Sequence, residues 1–258
     1  MIFSHYFEIL IPLLLITFLF WLLSIIKKDV SIVDSLWSIF FIIASIYSYI
    51  QLDNPSSRAQ IVTLLVIFWG LRLAFYITIR NWGHEEDSRY QKIRNNNEPY
   101  FQLKSLYLIF LFQAILAWII AVPIIISIQS TEELGFFDWI GLGFWLAGMY
   151  FESTSDYQMW KFKRNPANKG KINSQGLWGY SRHPNYFGEC LIWWGYFCFS
   201  LSSNAYMAVI SPLIMTFLLL KFSGVALLEK SMKTRPGYDQ YIKTTNAFFP
   251  SLIKKRGA

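Results

Sequence analysis

The chain has 258 residues, 54% of them hydrophobic and 19% aromatic, and a formal net charge of +7. Several apolar runs reach the roughly 20 residues that cross a bilayer, which excludes a water-soluble globular domain. The positive charge does not mark a nucleic-acid binder, because the lysines and arginines sit in loops between apolar runs, where membrane topology accounts for them.

Lipid offers the backbone no partners, so each span has to be a helix. The expected fold is all-α: a polytopic integral membrane protein with seven transmembrane helices, in a single membrane domain covering residues 1–258. The first run, about 5–27, is too long for a signal-peptide core, and no small-residue cleavage site follows it. Lys27 and Lys28 come next. The second run, about 30–51, opens on the polar residues Ser31, Asp34 and Ser35, and the third, about 59–80, carries Arg72 at its middle. A basic loop with Arg80, Arg89, Lys92, Arg94 and Lys104 leads to the fourth, about 105–128. The fifth, about 136–160, ends in a loop with Lys161, Lys163, Arg164, Lys169 and Lys171. The sixth, about 185–203, and the seventh, about 205–229, precede a basic tail. The alternate loops hold Arg58 as their one cation beside Asp53, Glu132 and Glu133. That alternation puts the N-terminus outside and the C-terminus in the cytoplasm.

Ionisable groups at membrane depth are costly and therefore informative. Asp34, near the start of the second span, is either an interfacial anchor or a buried acid. Arg72 lies too deep to snorkel and calls for a functional or inter-helix partner. Glu152 and Asp156 are four apart on one helical face near the basic end of the fifth span, facing a polar pocket or pairing with the lysines beyond. Cys190 and Cys198 fall on one predicted helix, about 12 Å apart along it, and cannot bridge. No metal site is visible, since His5, His84 and His183 are widely separated.

The densest polar cluster is Gly176-Leu177-Trp178-Gly179-Tyr180-Ser181-Arg182-His183-Pro184-Asn185-Tyr186-Phe187-Gly188-Glu189. Pro184 suits a first helical position, where a missing N–H costs nothing. Asn185 and Glu189 then share a face at the water end of the sixth helix. With Asp156, Lys163, Lys171, Glu229, Tyr238 and Tyr241, these residues form a set of acids, amides, phenols and cations that suits a phosphate-bearing nucleotide.

The stretch 178–189, the tail Glu229-Lys230 through Arg235-Pro236-Gly237-Tyr238-Asp239-Gln240-Tyr241 to Phe249-Pro250, and Ser155-Asp156-Tyr157 with Lys163 and Lys171 together resemble membrane reductases of the steroid 5α-reductase type. The likeness is strongest over about 150–250, the expected cofactor-binding half. A broader form of the signature also occurs in sterol C14-reductases and isoprenylcysteine carboxyl methyltransferases. The resemblance implies an NADPH-dependent enzyme of a bacterial inner membrane that reduces the C4–C5 double bond of a 3-oxo-Δ4 steroid or similar enone lipid entering from the bilayer. It implies cofactor contacts from Asp156, Lys163, Lys171, Asn185, Glu189, Glu229, Tyr238 and Tyr241, and Arg72, Tyr180, Arg182 and His183 are added as candidate cofactor contacts from the sequence reading. Asn185 and Glu189 would lie near the nicotinamide. Where the family has a Gln-Glu pair and a Tyr that polarise the ketone, this chain has Asp34-Ser35 and Trp69. Asp34 is then the candidate acid, if burial keeps it protonated. Tyr76 is the second candidate, and Trp37 and Trp69 are candidate walls of the substrate site. The alternative is an S-adenosylmethionine-dependent membrane methyltransferase.

Overall fold

The first long helix shows its setting on its surface. A computed structural model of the chain describes residues 2–222 and 224–251. After the short α1 (Ile2–Glu8), α2 (Leu10–Lys27) buries Leu13, Thr17, Trp21 and Ser24, while Ile11, Leu15, Leu19 and Ile26 stay exposed. An apolar outer face of that length needs lipid rather than water around it. Thr17 and Ser24 satisfy their own hydroxyls, donating to the Leu13 and Trp21 carbonyls at 2.6 and 2.7 Å. Lys28 turns left-handed (φ 57°) and ends the helix.

All regular elements among the described residues are helices, apart from an isolated bridge between Ser181 and Asn246. Among the described residues, four stretches are long and apolar enough to span a membrane: His5–Lys27, Ile32–Ile50, Ser57–Asn81 and Phe101–Ile120, with a shorter apolar stretch at Tyr206–Phe222. Seven such helices are expected from the sequence; the fifth and sixth candidates form as helices, but their Gly, Trp, Tyr and carboxylate content lowers their hydropathy. The chain divides into two compact units, one comprising Met1–Leu134 with Ser202–Ala205, the other Gly135–Leu201 with Tyr206–Ala258.

In the first unit, α3 (Ile32–Ile50) and α4 (Ser57–Asn81) approach closely at Gly70. Ser38 Oγ donates to the Gly70 carbonyl at 2.8 Å, and a Cβ at Gly70 would come within 2.7 Å of Ile42. Ser56 caps α4, accepting from the Ala59 amide at 3.2 Å. Arg58 is fully buried rather than a loop charge in solvent. Its guanidinium donates to Ser130 Oγ and to the Glu132 and Glu133 carbonyls, at 2.6, 3.0 and 2.6 Å, and pins that loop. The basic segment before the fourth span contains a polar helix, α5 (Ser88–Asn97), capped by Asp87. The fourth span starts earlier than expected and is built from α6 (Phe101–Ser105), a π-helical turn at Leu106–Leu111, and α7 (Phe112–Ile120). It breaks at Ala121 because Pro123, near the start of α8 (Val122–Gln129), has no N–H to continue the ladder.

In the second unit, α9 (Phe136–Arg164) starts where Asp138 reaches back to the Gly135 amide at 2.8 Å. The helix α10 (Pro184–Leu201) begins at Pro184, as the sequence predicts. These two helices meet backbone to backbone through Gly141 against Gly195 and Gly148 against Gly188. A Cβ at Gly148 would lie 2.6 Å from the Gly188 carbonyl, and one at Gly188 would lie 2.5 Å from the Glu152 amide nitrogen. Small residues permit such contact between helices in lipid. The expected seventh span is not one helix. It runs as a 3-10 turn at Tyr206–Val209, α11 (Ile210–Phe217), a π turn at Leu218–Phe222, and then α12 (Val225–Met232). Gly224 holds a non-helical backbone between the last two, where any Cβ would overlap the Leu219 carbonyl. A last helix, α13 (Tyr238–Thr244), follows Gly237 in the left-handed region at φ 81°.

Candidate functional site

The head of α10 is tied to the tail by Arg182. Its Nε and Nη2 donate to one oxygen of Glu229 at 2.8 and 2.6 Å, and its Nη1 donates to the Thr245 and Ile242 carbonyls. Its amide donates to the Asn246 carbonyl at 2.8 Å. Beside it, Ser181 Oγ donates to the Phe248 carbonyl at 2.7 Å and accepts from the His183 amide at 3.1 Å. Tyr241 Oη donates to the Trp178 carbonyl, and the Trp178 indole donates to the Ser155 carbonyl at 3.0 Å. The signature, the tail and α9 are thus locked into one polar assembly. Burial pushes the Tyr238 and Tyr241 phenols up, so both stay neutral.

Among the described residues of this assembly, two buried atoms lack hydrogen-bond partners: His183 Nε2 and Asn185 Oδ1. His183 Nε2 lies 3.5 Å from Glu229, too far for a good hydrogen bond. Its ring stacks on Tyr186 at 5.7 Å. Asn185 Nδ2 reaches Asp156 Oδ1 at 3.4 Å. Glu152 and Asp156 are both buried on α9. Glu189 is half-buried one turn beyond Asn185. Lys163, Lys171 and Tyr180 are exposed on the loop side. So the structure gathers Asp156, Arg182, His183, Asn185, Glu229, Tyr238 and Tyr241, and leaves the two lysines at the surface.

Burial holds His183 down at about 4, with the Arg182 charge adding to that effect and Glu229 opposing it. An unfolded histidine titrates near 6.5. Between pH 6.5 and pH 4 the unfolded chain therefore takes up a proton that the folded chain refuses, and stability falls as pH drops through that window. The full effect is about 3 kcal/mol. The melting temperature of the detergent-solubilised protein should fall over that range, and His183→Gln should flatten the slope. An unchanged slope in the variant would mean that His183 is not the group refusing the proton.

The other predicted residues lie in the first unit. Asp34 accepts from Arg89 Nη2 at 2.7 Å through one oxygen and from the Tyr90 hydroxyl through the other. Tyr90 also accepts from Gln113 at 3.3 Å. Burial first, then the Asp34 charge and hydrogen bond, push the Tyr90 phenol far up. Both Asp34 oxygens are thus taken up as acceptors beside an arginine, so the side chain is not the isolated acid in an apolar pocket that the sequence reading requires. Tyr76 is half-buried, with the Arg80 guanidinium 5.8 Å from its ring, and Arg72 is half-buried on the same helix. Trp37 packs edge-on to Phe41 at 5.3 Å, and Phe41 packs on the fully buried Trp69 at 5.8 Å. Arg89, Tyr90 and Gln113 were not singled out by the sequence. The one signal in the sequence is the density of charge in Glu85–Arg94, which membrane topology also explains.

The fold and this site define a polytopic helical membrane protein with a polar assembly at the head of one helix, closed by its own tail. The chain belongs to the family described as protein of unknown function DUF1295, whose model matches residues 20–245. It is 27% identical over 261 residues to an uncharacterised protein of Schizosaccharomyces pombe, covering 90% of this chain and 76% of the relative. Over 58 residues it is 45% identical to the 3-oxo-5-alpha-steroid 4-dehydrogenase 1 of Macaca fascicularis, 22% of each chain. No solved structure matches it.

Proposed function

We propose that this protein is an NADPH-dependent membrane reductase of an enone lipid, with a 3-oxo-Δ4 steroid as the model substrate. The observation that carries the reading is the pair of unpartnered buried atoms, His183 Nε2 and Asn185 Oδ1, next to the buried Asp156. A carboxamide offers both a donor and an acceptor, which is the complement such a cluster needs. The exposed Lys163 and Lys171 suit phosphates, and the local likeness to a steroid dehydrogenase supports the reaction class. The residues present therefore fit the cofactor.

NADPH, when bound, supplies the hydride that adds to the β-carbon of the enone. Asn185, His183 and Asp156 orient the amide end, with Glu189 one turn further along α10. Lys163 at the end of α9, with Lys171 and Tyr180 from the loop that follows, holds the phosphate end. Arg182, Glu229, Tyr238 and Tyr241 keep the tail closed over the site and exclude water. At the substrate end, Trp37 and Trp69 shape the wall, and Arg72 on α4 is kept as a further cofactor contact. Asp34 and Tyr76 are the two candidates for the group that donates to the carbonyl oxygen and supplies the proton that reaches the α-carbon. With Asp34 held as an acceptor by Arg89 and Tyr90, Tyr76 is the hydroxyl with a proton to offer.

The topology in this reading is seven crossings, with α9, α10 and the segment from Tyr206 to Met232 as the fifth to seventh. The N-terminus is outside, and the site is at the cytoplasmic face.

Purified protein should consume NADPH on addition of progesterone and prefer NADPH to NADH. Asn185→Ala should weaken NADPH binding by about ten-fold or more, the value of a hydrogen bond to a buried polar partner. Equal use of NADH, or tight binding of S-adenosylmethionine in its place, would contradict the reading.

A further inference from the structure

The first unit carries a cavity of about 470 Å³ that plays no part in the reductase reading. It lies at the ends of α2, α3 and α4. Lys27, Lys28, Ser35, Thr78, Trp82 and Glu85 are among its lining residues. Lys27 and Lys28 share the lining with the acids Asp29, Glu85 and Glu86. Glu86 is already engaged, accepting from Arg94 at 2.7 and 2.9 Å and from the Val30 amide at 2.9 Å. Asp29 accepts from the Ser31 amide at 2.8 Å. Glu85 is exposed and is the acid best placed to meet a cation.

We propose that this cavity binds the headgroup of an aminophospholipid, a phosphodiester carrying a primary ammonium. Lys27 and Lys28 take the phosphate, and Glu85 takes the ammonium. A purely anionic headgroup would leave the acids facing its phosphate. A quaternary ammonium has no N–H to donate to Glu85.

Two observations point to a lipid rather than a soluble ligand. Below the cavity the outer faces of its walls are apolar and uncovered: Leu23 and Ile26 on α2, Phe75 and Ile79 on α4. Acyl chains attached to a headgroup seated here would run down those faces. At the mouth, Trp82 is 75% exposed, with Lys27 Nζ 6.0 Å from its ring, an aromatic at the level where headgroups lie. One turn deeper, Thr78 Oγ1 donates to Ser35 Oγ at 2.9 Å. These hydroxyls suit the glycerol and ester oxygens of the same molecule.

The test is a native mass-spectrometry titration of the delipidated full chain with phosphatidylethanolamine, phosphatidylcholine and phosphatidylglycerol of matched acyl chains. The ethanolamine lipid should bind about ten-fold more tightly than the glycerol lipid, the scale of one charge-assisted hydrogen bond. Lys27→Gln with Lys28→Gln should weaken all three. Glu85→Gln should remove only the preference for ethanolamine. All three side chains are exposed, so the variants should melt as the parent does; if they do not, the headgroup comparison on the parent protein decides. Equal binding of the three lipids, or variants that bind as the parent does, would overturn the proposal. Competitive displacement of the lipid by NADPH would also overturn it, by giving the cavity to the nucleotide, and leaves the reductase reading intact.

Discussion

Gly148→Ala is expected to unfold the second unit, while Gly143→Ala on the same helix leaves it standing. A Cβ at position 148 would sit 2.6 Å from the Gly188 carbonyl and 2.9 Å from the Ile192 amide nitrogen. Both are backbone atoms, which cannot rotate away as a side-chain end would. The helices must move apart, and every contact along their shared face loosens. Overpacking costs about 1–3 kcal/mol and more where backbone has to move, a large part of the stability of a domain. At Gly143 an added Cβ meets nothing within 4 Å. There the substitution should be neutral or gain the few tenths to about 1 kcal/mol by which alanine favours a helix over glycine. Size-exclusion profiles and melting temperatures of the two variants in one detergent give the comparison. Equal behaviour of the pair would mean that α9 and α10 do not pack through these glycines.

Arg182→Ala should release the tail. The guanidinium holds Glu229 and the Thr245 and Ile242 carbonyls at once, and alanine leaves all of them without it. Breaking a buried pair by removing one partner costs about 3–5 kcal/mol. The lower end applies here, because the Glu229 side chain is 22% exposed and solvent partly compensates. Limited proteolysis after Lys230 or Lys233 should speed up by more than ten-fold, while α9 and α10 stay protected. Arg182→Lys should rescue little, since one ammonium cannot span the same acceptors. If Arg182 were mainly a phosphate ligand, the alanine variant would lose NADPH affinity and keep a protected tail. That outcome would remove the clamp.

The helices were legible because apolar runs of span length have few other fates. The start of α10 was legible because Pro184 fits only the first turn. The shared face of Asn185 and Glu189 followed from their spacing. The breaks in the fourth and seventh spans were less legible. Pro123 and Gly224 were visible in the sequence, but hydropathy averages over them. The glycine contact also left a trace: Gly141 and Gly148 repeat at the same interval as Gly188 and Gly195. Nothing in one sequence says that the two pairs meet. The partners of Asp34 were invisible for a different reason. Arg89 and Tyr90 lie 55 and 56 residues away on a polar helix whose charges already had an explanation in topology. Arg182 shows the same limit at the site itself. Its residue type suits phosphate, and only the folded tail shows that its donors are directed to Glu229 and to backbone carbonyls.

The central claim is hydride transfer from NADPH to an enone lipid. It is tested most directly by incubating the purified protein with NADPH deuterated at the transferable position and progesterone, and analysing the steroid by mass spectrometry. The account predicts a dihydro product with one deuterium at the former β-carbon, one NADPH consumed per steroid reduced, and loss of product in Asn185→Ala at limiting cofactor. A saturated product without deuterium, or no reduction of any enone lipid by a protein that instead binds S-adenosylmethionine, would contradict it.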